Sequence, residues 1–331
     1  MSSASARCRI FDPGAAEPVE GQRLAEFFEQ VYLRWRPELR AMTRKDYRRE
    51  IGCFSRWLER PAVVADLCDD TVSAFVAARL ESVSAATARK GLATLLCLWR
   101  LAWRRRFLND APRDLPEISP PRSLPRAWSA VDLDRLLDAC AAAVPRRGWG
   151  PAHWRALVLV VYDSGLRISA ALSVPVAAFD ARRRTICVAA AAQKQGAETE
   201  HVLHPQTVAA LVAMRAAPPT VGTAKWGPVA RQRLFPWPVH PRKLWIWFDA
   251  VCRAADLPHG PRDKFHRLRR TSYTHVYAAL GLQAATDHAG HSSDLSRHYL
   301  DRELARAVQG RPSAADVLPR PGAARQGALF T

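Results

Sequence analysis

Three short segments concentrate residue types that handle phosphate and protons. In Phe265-His266-Arg267-Leu268-Arg269-Arg270-Thr271, His266 and Arg269 stand three positions apart, so at a helix start they share one face. The segment Tyr162-Asp163-Ser164-Gly165-Leu166-Arg167 carries an arginine just past a glycine that can end a helix. Ala289-Gly290-His291-Ser292-Ser293 is followed by Tyr299-Leu300-Asp301, and Tyr299 is the last tyrosine of the chain. A guanidinium binds phosphate through paired, charge-assisted hydrogen bonds. Imidazole moves protons near neutral pH. A phenol becomes a nucleophile once its proton, ordinarily held to about pH 10, is withdrawn. Each segment alone is common; their order along one chain is the signal.

In that order they resemble the tyrosine recombinase (phage-integrase-like) family, whose members carry a Gly-Leu-Arg turn, a His-x-Leu-Arg box, a Gly-His box and then a nucleophilic tyrosine. The resemblance covers about 130 to 310 well and extends loosely to the N-terminal part. It implies metal-free cutting of a phosphodiester. Tyr299 would attack the phosphorus, and Arg167 and Arg269 would hold the two non-bridging oxygens and neutralise charge in the transition state. His266 would help deprotonate Tyr299, His291 would donate to the phosphate, and Lys194 would protonate the leaving 5′-oxygen. The product would be a 3′-phosphotyrosyl bond and a free 5′-hydroxyl, resealed without ATP. No metal, nucleotide or organic cofactor is implied. The implied partner is double-stranded DNA with a specific site, bound by a homodimer and brought into synapsis by a homotetramer.

The chain departs from the family pattern in three places. His291 and Tyr299 are eight positions apart where nine is usual, and one residue fewer in a helix rotates its successor by about 100°. Ala170 stands where a glutamate is often found three residues after the first arginine, leaving Asp163 as a candidate to orient Arg167. Arg270 and Thr271 follow the His-x-Leu-Arg box, where a second histidine is common. Two other functions use the same residues: a type IB topoisomerase-like enzyme that relaxes DNA, and a DNA-binding protein of this fold with impaired catalysis.

The elements that must position these residues are mostly helical. Helices are predicted from Arg23 to Leu33, from an N-cap at Thr43, from Asp69 or Asp70, and from Ser84 to about Phe107. Pro112, Pro116, Pro120, Pro121 and Pro125 then exclude regular structure. Ser129 caps a further helix, Trp154 to Tyr162 is an apolar one ended by Gly165, and Thr185–Ala190 with Glu200–Leu203 read as a hairpin around Gln193 to Ala197. Helices follow over Thr207–Ala216, Lys243–Ala255, Phe265–Leu280, about 283–288 and about 293–308. The expected organisation is an arm (1–20), a helical domain (21–110), a proline-rich linker (111–128), a catalytic domain (129–310) and a tail (311–331). The resemblance implies a mainly α fold, with a SAM-like four-helix DNA-binding domain followed by a mixed α/β integrase-like domain with a small antiparallel sheet.

Composition agrees with a polyanionic partner. The 331 residues include 49 Lys+Arg against 31 Asp+Glu, a formal charge of +18, which repels itself unless an anion offsets it. Arg44, Lys45, Arg48, Arg49, Arg89, Lys90, Arg104 and Arg105 in the first domain, and Arg242 and Lys243 in the second, are the candidate DNA clamp. GC-rich coding accounts equally well for part of the arginine and alanine excess. The tryptophans and the pair Tyr273 and Tyr277 read as packing. The seven cysteines show no zinc spacing and read as reduced core thiols, and no apolar run approaches the ~20 residues of a membrane span. The expected location is the cytoplasm, at the nucleoid.

Overall fold

The computed structural model describes residues 21–121, 124–194, 196–216, 232–237, 242–260, 263–290 and 298–309. The chain divides into two compact units, Met1–Ser123 and Leu124–Thr331.

In the first unit α1 (Leu24–Phe27) runs through a π-helical stretch (Phe28–Tyr32) into α2 (Leu33–Trp35). The adjacent Phe27 and Phe28 are both fully buried. Tyr32 and Tyr47 share a 2.9 Å hydroxyl contact, and Phe28 stacks 5.2 Å from the Tyr47 ring. α3 (Ala41–Trp57) buries Tyr47, Ile51 and Phe54 at helical spacing. It begins two residues before the expected Thr43 cap, because Arg44 reaches back to the carbonyls of Leu39 (2.8 Å) and Pro37 (2.7 Å) and ties down the approach to the helix. α4 (Asp69–Ser82) starts after Cys68, so Asp69 and Asp70 lie in its first turn rather than at the cap. α5 (Ala85–Arg104) is capped as expected, with Ser84 accepting from the Thr87 N–H. Glu50 is buried against Arg79 at 3.3 Å, and a Cβ at Gly91 would collide with its Oε1. Ile118 of the proline-rich stretch belongs to this unit's core.

In the second unit α6 (Ala130–Ala141) opens with a reciprocal cap. Ser129 Oγ accepts from Asp132 N (3.2 Å) and Asp132 accepts from Ser129 N (2.9 Å). α7 (Pro151–Ser164) is the central helix, with Trp154 and the whole run Ala156–Val161 buried. Short α8 is Ile168–Ala171. The sheet has three antiparallel strands, β1 (Phe179–Asp180), β2 (Thr185–Val188) and β3 (Thr199–Val202), in that spatial order, with Thr185 opposite Val202 and Val188 opposite Thr199. β1 was not expected; two residues carry no readable alternation. The β2–β3 connection is a wider loop than a tight hairpin, with a 3₁₀ turn at Ala190–Ala192 and Gln193 turned into the core. α9 (Pro205–Ala216) and α10 (Arg242–Ala254) follow. α11 (Phe265–Ala289) is broken at Gly281, whose φ of 88° and ψ of −176° interrupt the helix where two separate helices were expected. α12 is Arg302–Gln309. α7 packs against α6, α9 and α11, and α11 packs against α12.

The cysteines depart from expectation. Of those described, Cys140 and Cys252 are buried, but Cys68 and Cys97 are exposed, and none is paired among the described residues. Cys97 falls on the outer side of α5 although its neighbours Leu95 and Leu98 are core. Trp99, Trp128, Trp149 and Trp154 are buried as packing residues, whereas Trp35, Trp57 and Trp103 are exposed. Among the described residues no helix is long and apolar enough to cross a membrane.

Candidate active site

The Gly165 turn is built from the end of α7. Ser164 Oγ donates to the Val160 carbonyl at 2.5 Å and accepts from the Leu166 N–H at 3.3 Å, which closes the last turn. Gly165 then takes φ +59°, a left-handed conformation that disfavours a side chain. Leu166 is buried, and Arg167 becomes the N-cap residue of α8, half-buried, with its carbonyl accepting from Ala170 and Ala171. Asp163 does not need to serve Arg167 to be held in place, because its Oδ2 accepts from the His204 N–H at 2.8 Å. Ala170 is buried in the core, with its own N–H used in the α8 turn.

Arg269 lies one turn into α11 and is 3 % exposed. Its Nη1 donates to the Gly165 carbonyl, and its Nη2 donates to the Ala289 carbonyl at 2.6 Å. The Nε–H is buried without a partner among the described residues. Burial pushes the guanidinium pKa down; the neighbouring Tyr299 opposes this, and the charge of Arg167 adds to it. The resemblance implies that Arg269 and Arg167 together hold the two non-bridging oxygens of a phosphate. One proton on each Nη is committed to backbone; the donors left are Nε–H and the second proton of each Nη, beside the Tyr299 side chain with which the guanidinium also hydrogen-bonds.

Tyr299 stands over this guanidinium, with Arg269 Cζ 5.1 Å from the ring centroid. The exposed His266 meets the same ring edge-on at 5.5 Å, and Tyr273 lies on it at 5.8 Å. Tyr299 is 7 % exposed. Its backbone is fixed by α11: buried Thr274 Oγ1 accepts from Asp301 N (3.1 Å) and lies 3.4 Å from the Tyr299 carbonyl as its donor. Asp301 caps α12 by accepting from Leu304 N at 3.1 Å, and its other oxygen accepts from Ala127 N at 2.9 Å. Trp128 N donates to Thr271 Oγ1 at 2.8 Å. The end of the proline-rich stretch is thereby tied to the Tyr299 loop and to α11.

Arg167, His266, Arg269 and Tyr299 are thus brought into one cluster by α7, α8, α11 and the loop before α12. Lys194 is exposed on the β2–β3 connection. His291 lies outside the described residues. Of the basic surface residues, Arg48 pairs with Glu29 (2.6 and 3.0 Å), Arg49 and Lys90 both pair with Asp46 (3.2 and 2.6 Å), and Arg104 lies over Trp35 at 5.0 Å. Lys45, Arg89, Arg105, Arg242 and Lys243 are exposed, and Arg44 is committed to the backbone carbonyls described above. Among the described residues no group of His, Cys, Asp or Glu is arranged to hold a metal ion.

Sequence reasoning missed Ser272, Thr274, His288 and Asp301, the polar residues behind the cluster. Ser272 gave a faint signal: it continues the Phe265–Leu268 stripe at helical spacing, where a core residue is expected.

No family model matches the chain. Over 141 residues, 40 % of its length, it is 34 % identical to the tyrosine recombinase XerC of Rhodospirillum centenum, and it spans 41 % of that relative's length. Among solved structures it is similar to the XerH site-specific recombinase bound to a palindromic difH substrate. That match has a TM-score of 0.63 and 16 % identity and covers 80 % of this chain and 79 % of the other. It is similar also to the Tn1549 transposon integrase with circular intermediate DNA (TM-score 0.65, 12 % identity, 88 % of this chain and 100 % of the other). A third is a lambda integrase dimer on a core site (TM-score 0.60, 14 % identity, 90 % of this chain and 78 % of the other). The helical content and the small antiparallel sheet agree with these likenesses, and the chain has the fold of the tyrosine recombinases.

Proposed function

We propose that the chain is a site-specific DNA recombinase or integrase that cuts and rejoins strands through Tyr299. The observation that carries this is the buried Arg269 guanidinium, braced by two backbone carbonyls, with an Nε–H that has no partner among the described residues and Tyr299 above it. A buried cation with spare donors beside a phenol is a site for an anionic group that reacts with that phenol. In the step proposed, the Tyr299 oxygen bonds to phosphorus as the bond from phosphorus to the 5′-oxygen breaks. The phenolic proton passes to His266, and Lys194 supplies a proton to the leaving 5′-oxygen, with His291 donating to the phosphate. Arg167 adds the second guanidinium. Attack by another 5′-hydroxyl reverses the sequence and rejoins strands, so no external energy source enters.

The substrate proposed is duplex DNA carrying a recombination site, held by a homodimer on one site and a homotetramer in synapsis. In the clamp, Lys45, Arg89, Arg105, Arg242 and Lys243 contribute charge from exposed positions, and Arg48, Arg49 and Lys90 exchange their carboxylate partners for phosphate. The helical domain 21–110 and the catalytic domain 129–310 would share the duplex, in the cytoplasm where that DNA lies. The relative named above, a tyrosine recombinase, and the structural neighbours, a recombinase and integrases solved with DNA, support the same reading.

The test is covalent trapping on a nicked duplex library of random sequence. The wild-type chain is expected to form an SDS-resistant protein–DNA adduct, and Tyr299→Phe none. Equal adduct from both proteins would assign the nucleophile elsewhere. Binding without any adduct from the wild type would leave a DNA-binding protein that has lost catalysis.

A further inference from the structure

His288 ends α11 beside Ala289 and lies behind the cluster rather than in it. Its Nε2 is 2.7 Å from Ser272 Oγ, and the same Oγ is 2.5 Å from the Tyr162 carbonyl oxygen. A serine has one proton and a carbonyl oxygen only accepts, so Ser272 donates to Tyr162 and His288 must donate from Nε2. A Cβ on Gly165 would stand 2.9 Å from His288 Nε2 and 3.6 Å from Ser272 Oγ, so the turn that carries Arg167 closes directly onto the imidazole. The two carbonyls that hold Arg269 belong to Gly165, on one side of the imidazole, and to Ala289, its chain neighbour.

Among the described residues, the charged and titratable groups that face His288 are Arg269 and His201. Burial, then the charge of Arg269, pushes the His288 pKa down to about 4. His201, also pushed down to about 4, first by burial, is held by Thr199 Oγ1 at 2.8 Å, which in turn accepts from Gln193 Nε2 at 2.5 Å. Neutral imidazoles on this side keep further positive charge away from Arg269.

We propose that His288 is a positioning residue, a neutral Nε2–H donor that locks Ser272 and the Gly165–Arg167 turn against the end of α11. It thereby fixes both carbonyls that orient Arg269. Its consequence for catalysis rests on the strand-transfer reading above, but the lock itself is a property of the DNA-free chain.

Two measurements separate these. In the DNA-free chain, the ¹⁵N shifts of His288 are expected to report the Nε2–H tautomer with no titration between pH 7.5 and 5.5. An Nδ1–H tautomer, or a midpoint near the ordinary histidine value, overturns the proposal. On the nicked duplex library, His288→Leu is expected to slow adduct formation about tenfold or more with duplex binding unchanged. His288→Gln, which places an amide N–H at similar reach, is expected to recover most of the rate. A Leu variant that traps like wild type, or a Gln variant no better than Leu, also overturns it. If the Leu variant does not fold, Ser272→Ala takes its place. If the wild type forms no adduct, the strand-transfer reading fails and the tautomer alone decides the lock.

Discussion

Arg269 is the residue whose chemistry is most constrained, because its guanidinium satisfies two buried carbonyls while keeping donors for an anion. A lysine at this place carries the same charge but is a single point donor and cannot span Gly165 and Ala289 together. Arg269→Lys is therefore expected to leave a buried carbonyl unpaired, costing about 1–3 kcal/mol in thermal or urea unfolding. It is expected to lower adduct formation by about a hundredfold, the cost of losing one aimed donor at a developing charge. A Lys variant that melts and traps like the wild type would remove Arg269 from both roles. Its place in the site was legible from sequence, since His266 and Arg269 at a helix start must share a face, and that face meets Tyr299. What holds the cluster was not legible. Asp301 acts on Ala127, and Ser272 on Tyr162 and His288, through separations that no local pattern records. Their polar character in apolar stripes was the only trace.

At the scale of elements, two glycines of the second unit test position against strain. Gly165 and Gly281 both have positive φ, at +59° and +88°. An alanine at Gly281 meets nothing within 4 Å, so Gly281→Ala is expected to cost about 1–3 kcal/mol of stability from backbone strain alone. Adduct formation by the folded protein should be unchanged. An alanine at Gly165 meets His288 at 2.9 Å as well, so Gly165→Ala is expected to displace the turn and lose both stability and adduct formation. Melting curves beside trapping rates check this; equal loss of trapping in the two variants would place the Gly281 break inside the catalytic unit's working geometry. Elements whose boundaries are written in local chemistry were legible: the Ser84 and Ser129 caps and the Gly165 stop each need only neighbouring residues. The start of α3 was misread because Arg44 reaches carbonyls that a cap search does not consider. β1 was missed because its two residues become a strand only through pairing with β2.

Over the whole molecule, the ten histidines are divided unevenly, all of them at position 153 or beyond. Burial pushes His153, His201 and His288 down to about 4. An unfolded histidine takes up its proton below about pH 6.5, whereas these three stay neutral in the folded unit until about pH 4. The unfolded state therefore binds more protons in this window, and stability drops as pH is lowered, by up to about 1.4 kcal/mol per pH unit for each group. In the first unit the perturbed carboxyls among the described residues are Glu29, held low by Arg48, Glu38, held low by Arg36, and Asp46, held low by Lys90. Their contribution is present above the ordinary carboxylate range and is lost only as pH falls below about 4. Acidification from pH 7 to 5 is thus expected to loosen Leu124–Thr331 and spare the first unit, with a fall on the order of 10 °C in the second unit's transition. Hydrogen exchange followed by mass spectrometry on the full chain, corrected for intrinsic rates, resolves the two. Peptides of α7, β3 and α11 should lose protection at pH 5 while those of α3 and α5 keep it. Uniform loss, or loss beginning in α3 and α5, would show that the general self-repulsion of a chain of charge +18 outweighs its buried imidazoles.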